Sequence, residues 1–154
     1  MAIQWAFAII VNEKTQVLLC HRNDYDLRNL PGGKVEVWES PREAVIREVK
    51  EETWLDAEIS EFMWLYYKPE KDDLVFQFVC KIIWWEITLN EEAREIRYFD
   101  KDNLPENTAW KQVERIQDYF DTNRNESSMI YEFEAIFFYL EAFNDKSKYA
   151  QQSL

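Results

Sequence analysis

Apolar and polar positions alternate in several blocks the length of strands, and in three stretches the period lengthens to that of a helix. Residues 2–11, ending in AFAIIV, suit a strand, and QVLLCHR from Gln16 suits a second. Asn12 to Thr15 supply turn residues between them, so a hairpin is the simplest join. A polar loop from Arg22 to Asn29 leads through Leu30 and Pro31 onto Gly32 and Gly33. The helical period then begins at Ser40-Pro41-Arg42-Glu43, a capping box with proline at the first helical position. Projected at 100° per residue, Val45, Ile46, Val49 and Thr53 form the side that packs on a sheet.

Residues 57–68 and the run LVFQFVCKIIWWEI from Leu74 read as long strands with a turn at Pro69 to Asp73. Asn90 to Arg94 reads as an acidic loop, Glu95 to Phe99 as a short strand, and Asp100 to Pro105 as a turn. A helix is expected from about Thr108 to Asp121, with Trp110, Val113, Ile116, Gln117 and Phe120 as its core stripe. Residues 125–144 suit a further helix through Ile130, Phe133, Phe137, Leu140 and Phe143, although YEFEAIF also alternates. Strands on either side of an embedded helix predict an α/β sandwich with a mixed sheet. One domain is expected over residues 1–145, followed by a polar, frayed tail over 146–154.

Composition narrows the class. Hydrophobic residues make up 47% of the 154 and charged residues 31%, which fits a globular chain and leaves no run long enough to span a bilayer. The formal net charge of -12 argues against a nucleic-acid polymer or an anionic membrane as partner. A small anionic substrate still fits if a metal and a few cations reverse the sign locally. Cys20 and Cys80 form no C-x-x-C pair and read as buried small hydrophobes. His21 is the only histidine, which excludes a multi-histidine zinc site. With no basic segment before the first apolar run, a cytoplasmic address is the expectation.

The chemistry collects around the only two glycines in the chain. With the helix starting at Pro41, Glu48, Glu51 and Glu52 sit at i, i+3 and i+4 and are neighbours on its surface. Like charges so spaced repel by a few tenths of a kcal/mol per pair. A solvated acidic face would tolerate this; alternatively, hard carboxylate oxygens without histidine or thiolate suit a cation such as Mg2+.

The flanking residues favour the second reading. Gly33, Glu39, Arg47, Glu48, Val49, Glu51, Glu52 and Leu55 follow the spacing G-x5-E-x7-R-E-U-x-E-E-x-G-U, with U aliphatic, of the motif called the Nudix box (below, the box), and the chain thereby resembles the Nudix hydrolase family in its MutT-like or ADP-ribose pyrophosphatase-like form. Trp54 is the one departure, standing where the pattern has its last glycine. The resemblance implies a Nudix-type α/β/α sandwich and attack of water on a phosphorus of a nucleoside diphosphate linked to another group. A nucleoside triphosphate, ADP-ribose or a nucleotide sugar would each qualify. It also implies Mg2+, with Mn2+ as a substitute, and a homodimer. By position, Glu48, Glu51 and Glu52 would hold the metal, with Glu39 a further contributor.

Arg47, with Glu43 and Glu51 at i-4 and i+4, would orient a box carboxylate. Glu52 is the first choice for general base. Glu95 is the downstream alternative, followed by Glu91 and Glu92. Arg22, Arg28 and Lys34 flank the glycines and would meet phosphate oxygens, while Gly32 and Gly33 would let the backbone approach metal or phosphate closely. Tyr25, Trp38, Trp64, Tyr66 and Trp84 are the aromatics available for stacking on a base. A rival reading, prompted by Trp54, is a ligand-binding or regulatory Nudix module without turnover.

Overall fold

The structure is a computed structural model that describes residues 2–84 and 93–121. Met1–Tyr119 forms one compact unit; of the second unit, which begins at Phe120, only Phe120 and Asp121 are among the described residues. The expected helix over 125–144, the tail, Glu91, Glu92 and the side chain of Trp84 lie outside them.

Two sheets build the first unit. The larger has the order β4-β1-β6-β5, formed by β1 (Ile3–Ile10), β4 (Gly32–Lys34), β5 (Asp56–Lys68) and β6 (Asp73–Trp84). It is mixed: β1 runs parallel to β6, while the β1–β4 and β5–β6 pairs are antiparallel. The smaller sheet is antiparallel in the order β3-β2-β7, from β2 (Gln16–Arg22), β3 (Arg28–Asn29) and β7 (Ala93–Asp100).

This topology corrects three local readings. The first two strands do not form a hairpin. A turn held by Asn12 brings them together at a single bridge, Val11 to Val17, after which they enter different sheets. The partners of β1 are β4 and, along its whole length, β6, and local pattern carries no information about such distant pairings. The polar loop after Arg22 ends in the short strand β3, and the chain then enters β4 at the glycine pair. The strand expected at Glu95 to Phe99 runs further at both ends.

The helix α1 (Pro41–Thr53) starts where the sequence places it. The Ser40 hydroxyl accepts from the Glu43 N–H, and the Glu43 carboxylate accepts from the Ser40 N–H. Ala44, Val45 and Val49 pack on Ala6, Ala8, Ile10, Leu18, Phe78 and Cys80, so one side of α1 closes the core across both sheets. Ile46, expected on the core side, is only partly buried, while Ala44, which the sequence reading did not include, is fully buried in the core.

The opposite side of the larger sheet receives α2 (Trp110–Phe120), through Arg115 over the rings of Phe7 and Tyr66. Helix, sheet and helix thus make an α/β/α sandwich. The apolar stripe read for α2 matches its buried side at Ile116 and departs from it elsewhere. Gln112, Arg115 and Ile116 are buried, whereas Trp110 is 64% exposed and Gln117 is exposed. No helix among the described residues is long and apolar enough to cross a membrane.

Trp54 caps α1 in the left-handed conformation, at φ 59 and ψ 8, with its N–H on the Lys50 carbonyl and its side chain about half exposed. A residue with a Cβ at this position costs roughly 1 kcal/mol relative to glycine. Trp54→Gly is therefore expected to keep or raise the melting temperature, by about 2–4 °C if the full relief is realised. A clearly lower melting temperature would show that the indole stabilises the helix end.

Candidate functional site

Gly32 and Gly33 bring β4 against β1 and under α1, each for a different steric reason. Gly32 has φ +149, and a Cβ there would press on the Ala6 carbonyl and lie 2.6 Å from the Phe7 Cα. At Gly33 a Cβ would meet the Glu48 carboxyl, with its carbon 2.6 Å away. The missing side chain of Gly33 is thus a cradle for the Glu48 carboxylate. Gly32 donates its N–H to Glu52 Oε2 at 2.9 Å, which ties a second box carboxylate to the same strand.

Arg47 gathers the remaining acids. Its Nε and Nη2 grip Glu39 at 3.0 and 2.6 Å, while Nη1 reaches Glu48 Oε1 at 2.9 Å and Glu51 Oε2 at 3.1 Å. Nη2 also donates to the Lys34 carbonyl. Glu43 belongs to the capping box, so Glu39 and Glu48 join Glu51 as the partners of Arg47. These hydrogen bonds hold the guanidinium more firmly charged than usual, and the Arg47 contact keeps the Glu39 carboxyl below the ordinary carboxylate range. Glu39 also accepts from the Glu36 N–H, which folds the loop before α1 back on itself.

The donor set suits a hard divalent cation: carboxylate oxygens on consecutive turns, one of them seated in a glycine cradle. As the side chains stand, Arg47 takes the place of that charge for Glu48 and Glu51. Among the described residues no three acidic, cysteine or histidine side chains converge as ligands.

The flanking cations divide between two faces. Arg22 holds Asp24 through two bonds of 2.7 and 2.6 Å; those bonds and, more weakly, Glu52 raise its pKa. Cys20, whose thiol burial pushes well up, also feels Glu52, so this end of β2 faces the box. Arg28 and Glu95 do not. Leu18, Ile96 and Tyr98 belong to the α1 side, and alternation along β2 and β7 sends His21 and its cross-strand partners Arg28 and Glu95 to the other side. There Arg28 pairs with Glu95 at 2.7 Å and lies over the Phe99 ring. The Lys34 side chain is exposed. Trp38 is 81% exposed beside the fully exposed Val37, and Tyr25 lies under Arg22.

Sequence reasoning missed one group altogether, the buried polar side chains Gln77, Gln112 and Arg115 between the larger sheet and α2. The available signal was the i, i+3 spacing of Gln112 and Arg115, which a reading by hydrophobicity passes over. Burial pulls the Arg115 pKa down from its ordinary value.

Comparison with known proteins places these residues in context. Residues 3–134 match the family model described as NUDIX domain. An ADP-ribose pyrophosphatase of Methanocaldococcus jannaschii is 32% identical over 117 residues, covering 71% of this chain and 69% of that protein. A MutT-like protein of Streptomyces ambofaciens is 28% identical over 113 residues, 73% of each chain. The crystal structure of an ADP-ribose pyrophosphatase from Streptococcus suis superposes with a TM-score of 0.67 at 25% identity, covering 80% of this chain and 96% of that one.

Proposed function

The chain belongs to the NUDIX family and is a hydrolase of pyrophosphate bonds; we propose that it cleaves a nucleoside diphosphate linked to another moiety, at the edge where β4 meets α1. The observation that carries this reading is the Gly33 cradle: the backbone gives up a side chain at the one place where the Glu48 carboxylate needs the space. A bland acidic helix face would need no such cradle.

Glu48, Glu51 and Glu52 would hold Mg2+, or Mn2+ in its place, with Glu39 reaching it only by leaving Arg47. When bound, the ion would neutralise the pyrophosphate and lower the pKa of water. Arg47 orients Glu48 and Glu51 through its Nη1. Glu52, fixed by the Gly32 N–H, is the general base that receives the proton of the attacking water. The pairing of Glu95 with Arg28 on the far face of the smaller sheet supports a structural role for both. Arg22 stands on the box side, and release from Asp24 would free it for a phosphate oxygen.

ADP-ribose, an oxidised nucleoside triphosphate and a nucleotide sugar, each supplied with Mg2+ or Mn2+ and analysed for products, test the reading. A nucleoside monophosphate among the products is the expected result. Tight binding without cleavage of any of them would instead support a regulatory module.

A further inference from the structure

Positive charge collects where the turn between β5 and β6 meets α2, in a chain that carries 30 acidic and only 18 basic side chains. Arg115 is the floor of this cluster. It is only 3% exposed, and its guanidinium lies 5.1 Å from the Phe7 ring centre and 5.4 Å from that of Tyr66. Its Nη1 donates to Gln112 Oε1 at 3.1 Å, and among the described residues the guanidinium makes no other hydrogen bond and no ion pair.

Three lysines surround it. Tyr66 pairs with Val75 and Lys68 with Asp73 in regular register, so Lys68 projects from the same face of β5 as Tyr66. Lys71 lies in the turn beyond and donates its N–H to the Lys68 carbonyl at 3.2 Å. Lys111 stands four residues before Arg115, on the same side of α2. Among the described residues Lys68 and Lys71 form no ion pair, and Lys111 pairs with Glu114 at 3.7 Å. Burial lowers the Lys68 pKa, and the charges of Arg115, Lys71 and Lys111 lower it further, against the opposing pull of Asp73. Glu114 and Asp118 act on Arg115 from a distance, but Glu114 is shared with Lys111, and Asp118 accepts from the Tyr66 hydroxyl at 2.7 Å.

Cations gathered around a buried guanidinium repel one another, and a buried charge without a counter-ion is costly. An oxyanion removes both penalties by accepting charge-assisted hydrogen bonds from the lysines and the guanidinium. We propose that Arg115, Lys68 and Lys71, with Lys111 beside them, form a binding site for a phosphate group. Phosphate suits the cluster better than a carboxylate, since it brings about two negative charges and several acceptor oxygens to donors converging from a helix, a strand and a turn. The cluster lies at the β5 edge of the larger sheet, whereas the box lies at the β4 edge, with β1 and β6 between them. The site is therefore separate from the α1 carboxylates and stands whether or not the chain cleaves pyrophosphate.

The test is calorimetric titration of the metal-free protein with sodium phosphate and with glycerol phosphate, at an ionic strength held constant with sodium chloride. Saturable binding is expected, weakened at least ~10-fold in Lys68→Gln and in Arg115→Gln. In Arg22→Gln, on the box side, affinity should stay within about twofold. Thermal melts establish which variants are folded; Lys68→Gln, at the end of a strand, carries the test if Arg115→Gln does not fold. Tighter binding of glycerol phosphate would identify a phosphate ester as the ligand, and equal or tighter binding of inorganic phosphate the free ion; either supports the site. No saturable binding of either probe, affinity unchanged in folded Lys68→Gln, or binding lost in Arg22→Gln would overturn it.

Discussion

Glu52→Gln is expected to lower metal-dependent turnover by about 1000-fold while leaving the protein folded, since general-base catalysis accounts for roughly 100- to 10,000-fold in rate. The fold should survive because glutamine keeps an oxygen that can accept the Gly32 N–H, the contact that Glu52 Oε2 makes at 2.9 Å. What it removes is the negative charge and the capacity to take a proton from water. Circular dichroism and a thermal melt would establish the fold, and single-turnover kinetics the loss. Near wild-type turnover would move the base to another residue. Glu95 would then be an unfavourable substitute, since it is bound to Arg28 and faces away from α1.

The glycine pair provides the second large effect, because two adjacent substitutions should fail differently. In Gly32→Ala the new Cβ meets the backbone of Ala6 and Phe7 at a φ of +149, and neither neighbour can yield without moving β1. Backbone strain and overpacking together should cost roughly 3 kcal/mol or more. In Gly33→Ala the atoms nearest the Cβ are the end of the Glu48 side chain, which can swing away. The fold should persist with a nearly unchanged melting temperature while turnover falls about 100-fold, the penalty for displacing a catalytic group by about 1 Å. Equal loss of stability in both variants would mean that the cradle is structural only.

Part of this geometry was legible in the sequence alone. The start of α1 was, because Ser40, Pro41 and Glu43 are local signals whose geometry does not depend on the rest of the chain. The register of Glu48, Glu51 and Glu52 followed from it, as did most of the core side of the helix. The need for glycine at positions 32 and 33 was legible as well, but its cause was not. A sequence shows that a Cβ is missing, while the atom it would strike, Glu48 in one case and the backbone of β1 in the other, is known only once β4 is paired.

Sheet assignment was the main failure. Val11 and Val17 bridge a tight turn and invite a hairpin, yet β1 finds its long partner in β6. The same limitation misplaced Arg28 and Glu95 beside the box. Which face a strand residue occupies depends on parity relative to α1, and that is fixed only by the packing of Leu18, Ile96 and Tyr98. On α2, Trp110 was read as core by hydrophobicity alone, while Arg115 occupies the buried place because Phe7 and Tyr66 offer ring faces to a planar cation.

The proposed reaction is hydrolysis of a pyrophosphate bond by the α1 carboxylates together with a divalent cation. Its most direct test is the rate of nucleoside monophosphate release by the wild-type protein from a pyrophosphate-linked nucleotide, measured with Mg2+ and again after chelation. Turnover that requires the metal and is restored when it is added back is the expected result; a rate indifferent to chelation, or no release under either condition, would contradict the proposed reaction.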